Sequence, residues 1–158
     1  MKIGTQIASL VAWLLVSFAP GWIGSHFMPG EWYRALQKPS FNPPGYLFAP
    51  VWTLLYILMG IAAWLVWKRA GFAGARIALI LFVAQLILNG LWSWLFFGLQ
   101  RPGVALIDIL LLWGLIIATI VSFWQKSAPA GMLLLPYIAW VSFASLLNFE
   151  IWRLNRSG

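Results

Sequence analysis

The sequence predicts an all-α integral membrane protein, a five-transmembrane-helix bundle forming one domain over residues 1–158. Three observations predict it. The chain is 63% hydrophobic and only 8% charged, whereas a soluble domain carries about 25% charged residues. Five apolar runs reach the roughly 20 residues that a helix needs to cross a bilayer. Twelve tryptophans lie inside and at the ends of those runs, and indole gathers where apolar and wet surroundings meet because its N–H needs a partner. The indoles have two readings, belts at the membrane interfaces or walls of a pocket for a flat apolar ligand.

The runs are Ile3–Phe27, Tyr46–Trp67, Ile77–Leu99, Gly103–Trp124 and Gly131–Trp152, and none contains Lys or Arg. Backbone groups find no water in lipid, so helices that satisfy their own hydrogen bonds are expected. The ten-residue alternation of a membrane barrel is absent. The first run exceeds a signal-peptide core of about 7–15 residues and is expected to stay as a helix. Ser17, Gly21 and Ser25 recur every four residues on it. Such a small-residue ridge allows close helix approach, within the bundle or in a homodimer. Pro20 should bend this helix, and His26 reads as an interfacial polar residue.

The connections are 28–45, 68–76, 100–102 and 125–130. Lys2, Lys68, Arg69, Arg76 and Lys126 fall on the side of the N-terminus (the N-side); Arg34, Lys38, Arg101, Arg153 and Arg156 fall on the other, the C-side. The basic residues tie, so the positive-inside rule gives no orientation. A net charge of +7 raises nucleic acid as a partner, but single and paired bases at the ends of apolar runs read as head-group anchors for the lipid bilayer. No nucleic-acid partner is expected. The absence of cysteine removes disulfides and thiolate chemistry, the one His reads as interfacial and so no Ser-His-Asp set is expected, and no metal-ligand cluster is expected.

The strongly polar residues inside the runs are few: Gln6, Gln85, Asn89, Asp108, Asn148 and Glu150. An intramembrane ionisable group is by default a functional candidate. Asp108 lies about five residues, roughly 8 Å, inside the C-side end of its run. It has two readings, ionised beside Arg101 or protonated beneath the long loop. Helical spacing sorts the unusual residues into stripes: Trp52, Tyr56 and Met59; Gln85, Asn89, Trp92 and Phe96; Asp108, Leu112, Leu115, Thr119 and Ser122; Tyr137, Trp140, Ala144, Leu147 and Asn148. Each stripe alone reads as packing with hydrogen-bond glue, and their convergence at one depth reads equally as a pocket. The 28–45 connection is longer than the usual helix–helix link of about 2–8 residues. It holds a short helical segment, Glu31–Leu36, then Pro39, Pro43 and Pro44. It is either a lid or an aromatic interfacial anchor.

The ordered set Trp32-Tyr33, Leu36-x-Lys38-Pro39-x-x-x-Pro43-Pro44, Phe48-x-x-x-Trp52-x-x-x-Tyr56, Asn89-x-x-Trp92, Asp108 and Pro136-Tyr137-x-x-Trp140-x-x-Phe143-Ala144-x-x-Leu147-Asn148 resembles the translocator proteins, also called tryptophan-rich sensory proteins or peripheral-type benzodiazepine receptors. The resemblance covers nearly the whole length. It implies a five-helix bundle, commonly a homodimer, here through the small residues of the first helix, in an integral multi-pass setting expected in a bacterial cell envelope. It also implies a cavity under the first loop for porphyrins, haem-related tetrapyrroles, sterols and aromatic drugs, with no covalently bound cofactor. The residues so implicated are Trp32, Tyr33 and Pro44 from the lid, Trp52, Tyr56, Asn89, Trp92 and Asp108, and Tyr137, Trp140, Phe143, Ala144, Leu147 and Asn148 from the fifth run. Leu147, Phe149 and Arg153 have the spacing of the family's sterol motif, but Phe149 replaces its Tyr and removes a donor for a sterol hydroxyl. Phe41 likewise stands where the family often has Trp.

Three functions follow. The chain binds and transfers a hydrophobic tetrapyrrole, with Arg34, Lys38 or Arg101 meeting its propionates. Alternatively, it degrades the ring photo-oxidatively, with Trp52 and Trp140 as electron donors. Alternatively, it is a stress-linked regulator that touches other membrane proteins through the Ser17–Gly21–Ser25 ridge.

Overall fold

The computed structural model describes residues 2–156. Its helices are α1 (Ile3–Gly24), α2 (Glu31–Ala35), α3 (Phe48–Gly74), α4 (Arg76–Ser93), α5 (Pro102–Lys126), α6 (Ala128–Leu133) and α7 (Leu135–Asn155). A one-turn 3-10 segment, Gly45–Leu47, leads into α3, and a π-helical turn, Trp94–Gly98, extends α4. Five of these stretches are long and apolar enough to cross a membrane. The five-helix expectation holds. Around the bundle, α1 packs on α3 and α4, α4 on α5, and α5 on α6 and α7; α6 closes the ring against α3.

Two expected spans differ in detail. The second does not end at Trp67: α3 carries Lys68 and Arg69 in helical form past the apolar stretch and breaks at Gly71, whose φ of 70° only glycine adopts without strain. The fifth is two helices, not one. Pro136 lacks the N–H that would bond one turn back, and its ring collides with the preceding turn, so the chain breaks at Leu134 between α6 and α7. Pro20, by contrast, stays inside α1 and is buried against the bundle.

The main core is a cluster of aliphatic and aromatic side chains from α3, α4, α5, α6 and α7, and a smaller one of Leu95, Phe96, Ala105 and Ile151 lies beneath Trp32 and Tyr33. Phe82 and Phe123 stack in the main core, 5.7 Å apart. The outer faces are apolar too: Ile7, Leu15 and Trp22 of α1 and Ile107 and Leu111 of α5 are exposed. Lipid, not water, is the solvent those faces match.

The small residues of α1 are used within the protomer. Ser17 is fully buried and its hydroxyl donates to the Tyr56 carbonyl (2.7 Å) and the Leu14 carbonyl (2.9 Å). A Cβ on Gly21 would lie 2.8 Å from the Tyr56 ring. Of the small-residue ridge on this helix, Ser17 and Gly21 face α3, and Ser25 alone of the three is exposed. His26 is exposed at the helix end, edge-on to Trp22 at 4.8 Å, as an interfacial residue should be.

At Gly60 α3 and α1 approach closely. A Cβ there would lie 2.9 Å from the Leu14 Cα and from the Ser17 Oγ. Backbone cannot swing aside as a flexible side chain can. Gly60→Val should therefore destabilise the bundle by about 1–3 kcal/mol, the usual cost of overpacking, read as a lowered unfolding midpoint in detergent. An unchanged midpoint would show that α1 is free to move off α3.

Candidate functional site

The site is built from a floor, a wall and a lid. Its floor is a chain of buried polar groups from three helices. The Tyr56 hydroxyl of α3 donates to Asn89 Oδ1 of α4 (3.2 Å), and Asn89 Nδ2 donates to the Tyr137 oxygen of α7 (2.7 Å). The Tyr137 hydroxyl in turn donates to Gln85 Oε1 (2.7 Å), whose Nε2 lies 3.9 Å from the Met59 sulfur. The helical spacing of Gln85 and Asn89, four residues, puts both on the face that meets the tyrosines. Asn89 does not hold its amide free, because both its polar atoms are taken by tyrosine hydroxyls.

The wall rises from that floor toward the C-side. Trp52 stacks on Tyr56 (5.5 Å, 28° between planes) and stands edge-on to Tyr137 (6.3 Å). Phe48 lies 5.9 Å from Trp140, Trp140 lies 5.6 Å from Phe143, and Phe143 lies 6.2 Å from Phe41 of the lid. Ala144, half-buried one turn beyond Trp140, packs against the core, and Leu147 is buried. Two side-chain atoms are buried without a hydrogen-bond partner among the described residues: Trp140 Nε1 and Asp108 Oδ2. Arg101 forms no ion pair with Asp108; among the described residues the one ion pair is Arg153 with Glu150. Asp108 instead lies within electrostatic reach of Tyr137.

The lid stands on the π-helical end of α4. Trp32 and Tyr33 meet Phe96 edge-on (5.8 and 6.2 Å), and Tyr33 also meets Phe97 (5.5 Å). A π-turn widens the helix by one residue per turn, and here it brings Phe96 and Phe97 together beneath α2. The Lys38 ammonium sits 4.5 Å over the Tyr33 ring and donates to the Arg34 and Leu36 carbonyls, both at 3.3 Å. Burial raises the Tyr33 phenol above its ordinary value, with a hydrogen bond to Asn42 opposing it, so Tyr33 stays a neutral donor at neutral pH. Pro44 is exposed, and its carbonyl accepts the Leu47 N–H in the turn that opens α3.

The far end of the lid is clamped to α7. The Gln37 N–H donates to Asn155 Oδ1 (2.9 Å), and Asn155 Nδ2 donates to the Gln37 carbonyl (2.8 Å). Beside this clamp a cleft of about 450 Å³ opens between Trp32 and Leu36, Pro102, and Trp152 of α7. Sequence reasoning missed Gln37 and Asn155. They are 118 residues apart, and nothing in their local patterns signals a pair.

Apart from Pro44, Asp108 and Leu147, the expected residues fall into two groups. Trp52, Tyr56, Asn89, Tyr137, Trp140, Phe143 and Ala144 belong to the floor and wall. Trp92, Asn148, Trp32 and Tyr33 belong to the lid's footing: Trp92 stacks on Phe96 (4.8 Å) and its Nε1 donates to Asn148 Oδ1 (2.8 Å), while Asn148 Nδ2 donates to the Pro102 carbonyl (2.8 Å). Those bonds tie α4, α5 and α7 together. The sterol-type spacing does not form one surface. Leu147 is buried, Phe149 points out beside Trp152 (6.0 Å), and Arg153 is held by Glu150 at 2.6 Å. Two positions apart on a helix, Leu147 and Phe149 face opposite ways.

Asn89→Ala should strand the Tyr56 and Tyr137 hydroxyls and lower stability by about 1–3 kcal/mol, measured by thermal unfolding in detergent; a midpoint equal to wild type would show the floor to be dispensable. Asn155→Ala should release the clamp. Hydrogen exchange at the Gln37 amide should then rise about tenfold, corresponding to roughly one net hydrogen bond, with exchange in the α4 core unchanged. Equal rates at Gln37 in both proteins would mean that the lid is held elsewhere.

Comparison with known proteins places this arrangement. The TspO/MBR family model matches residues 8–153. The chain is 46% identical over 157 residues to the tryptophan-rich protein TspO of Chlorobaculum tepidum, covering 95% of this chain and 98% of that one. It is 45% identical over 138 residues to the translocator protein of Homo sapiens (84% and 82%), and 40% identical over 148 residues to the tryptophan-rich sensory protein of Cereibacter sphaeroides (94% and 92%). With similarity spread over nearly every helix described above, the chain belongs to the TspO/MBR family and is an integral, multi-pass membrane protein.

Proposed function

We propose that this protein binds a hydrophobic tetrapyrrole, a porphyrin or haem-related ring, between its lid and the Trp52–Trp140 wall, and hands it on within the membrane. One observation carries the reading. The Trp140 indole N–H is buried without a partner between Phe48 and Phe143. Leaving such a donor unmade costs about 1–3 kcal/mol, so an acceptor-bearing ligand gains what the free protein forgoes. Asp108 Oδ2, the other buried orphan, offers an acceptor to a pyrrole N–H. The rings of Trp52, Phe48 and Phe143 supply faces for a broad π-surface.

The mouth supplies charge. Arg34 and Arg101 are exposed on the C-side and form no ion pair among the described residues; each suits a propionate. Lys38 is less available, being engaged with Tyr33 and two lid carbonyls. The regulator reading loses two-thirds of its surface, because Ser17 and Gly21 face α3.

A second reading, light-driven degradation of the bound ring, draws on the stacking of Trp52 on Tyr56. An excited porphyrin would take an electron from Trp52 and pass it to dioxygen as superoxide; the Trp52 radical cation would regain an electron from the ring, and the ring cation would combine with superoxide, so that dioxygen is the oxidant consumed and Trp52 is restored.

Protoporphyrin IX should quench the tryptophan fluorescence of the detergent-solubilised protein saturably. Trp140→Phe should weaken binding about three- to tenfold, as expected for one lost hydrogen bond. Equal affinity in the two proteins would sink the assignment of Trp140. Under light and dioxygen, wild type should yield a defined product that Trp52→Phe fails to make while still binding; identical bleaching without protein would dispose of the degradative reading.

A further inference from the structure

The cleft beside the Gln37–Asn155 clamp, about 450 Å³, shares no residue with the floor or the wall. Its size falls in the range of roughly 300–1,000 Å³ that small-molecule sites occupy. Trp32, Leu36 and Gln37 bring the lid to it; Pro102 of α5 and Trp152 and Asn155 of α7 bring the bundle. Gln100 and Arg156 line it as well.

Gln100 is held in an unfavourable conformation. Its φ of 57° is the one positive value on a non-glycine among the described residues. It stands where the π-turn of α4 ends, with the Leu99 N–H on the Trp94 carbonyl and the Arg101 N–H on the Leu95 carbonyl. Glycine is the usual residue at a left-handed helix end, because it has no Cβ to strain. A glutamine there keeps a side chain at a conformational cost, and that side chain lines the cleft.

The electrostatics of the cleft favour an anion. Arg156 is the single charged residue in its lining. The guanidinium lies 5.3 Å from the centre of the Trp152 ring and has no carboxylate partner among the described residues, since Glu150 is held by Arg153. A Cβ on Gly103 would lie 2.9 Å from Trp152 Nε1, so this indole abuts the first turn of α5. That end of α5 has no side-chain cap and no acidic residue, and the positive end of its dipole adds to the guanidinium. Trp32, Leu36 and Trp152 supply apolar surface beside the cation.

We propose that this cleft binds an amphipathic carboxylate, with its acid group on Arg156 and the Gln100 amide and its apolar body between Trp32 and Trp152, and that the bound acid holds the lid shut. The proposal stands whatever the inner cavity contains. A ligand lodged here touches the lid and α7 at once, beside the place where Gln37 already meets Asn155. It binds a closed lid better than an open one, and such a difference in affinity is what shifts a conformational equilibrium.

The test follows the indole N–H resonances of the detergent-solubilised full chain by NMR. The probes are 2-naphthoate, a dissolved aromatic acid, and laurate, a membrane-borne fatty acid, each beside its neutral amide. One acid or both should move the Trp32 and Trp152 signals saturably and leave Trp140 in place, and the tighter binder names the source. The amides should bind about tenfold more weakly, as expected for a lost charge-assisted bond to the guanidinium. Arg156→Gln, at an exposed position, should lose the same factor for the acids. Gln100→Gly should weaken binding about threefold while its unfolding midpoint rises, a pair of effects that a purely structural Gln100 would not produce. At ten times Kd, hydrogen exchange at the Gln37 amide should slow about tenfold. Silence of both indoles toward both acids, shifts confined to Trp140, or undiminished affinity in Arg156→Gln overturns the proposal. So does saturable binding that leaves exchange at Gln37 unchanged.

Discussion

The lack of water inside a bilayer is the constraint on which the rest of this structure depends. Any polar side chain carried into the membrane must find its partner within the protein. Tyr56, Asn89, Tyr137 and Gln85 solve this jointly, each bonded to the next across α3, α4 and α7. Because each bond joins two different helices, satisfying the polar atoms also sets the register of the helices. Ser17 extends the principle to α1 through the Tyr56 carbonyl, and Asn148 extends it to α5 through the Pro102 carbonyl. Apolar packing alone discriminates weakly among helix arrangements when lipid is as apolar as the side chains. The hydrogen bonds supply the discrimination.

The same constraint makes the exceptions meaningful. Among the described residues, Trp140 Nε1 and Asp108 Oδ2 are the buried side-chain atoms left without a hydrogen-bond partner. The aromatic wall of Phe48, Trp140 and Phe143 surrounds the indole N–H, and the lid reaches that wall through Phe41. The lid itself is held at two places of different kinds. Ring contacts on Phe96 and Phe97 anchor α2, and the Gln37–Asn155 clamp anchors the segment after it.

Much of the site was legible in the sequence because helical periodicity projects directly onto faces. Gln85 and Asn89, four apart, had to share a side, and so did Trp52 and Tyr56. The floor residues were accordingly found, but their roles were not. Periodicity places Asn89 on an inward face without saying that Tyr56 and Tyr137 arrive there with hydroxyls that consume its amide. The fate of Ser17 and Gly21 shows the same limit. A small-residue ridge signals close approach of another helix, and the pattern is identical whether that helix is α3 or a second copy. The clamp at Asn155 left no trace, since neither partner belongs to a periodic pattern.

Composition and spacing by themselves determined that this chain spans a membrane five times, that its indoles are of several kinds, and that four helices turn unusual residues toward one depth. These are properties of single helices in a known solvent, and a helix in lipid has little freedom to be anything else. Tertiary structure alone decided which polar atoms are spent on one another and which remain open. It also decided that Ser17 and Gly21 of α1 are spent on α3 and that Gln37 of the lid is clamped to Asn155 of α7. Each of these turns on where one helix stands relative to another. That depends on hydrogen bonds and ring contacts between residues tens of positions apart, which no local pattern encodes.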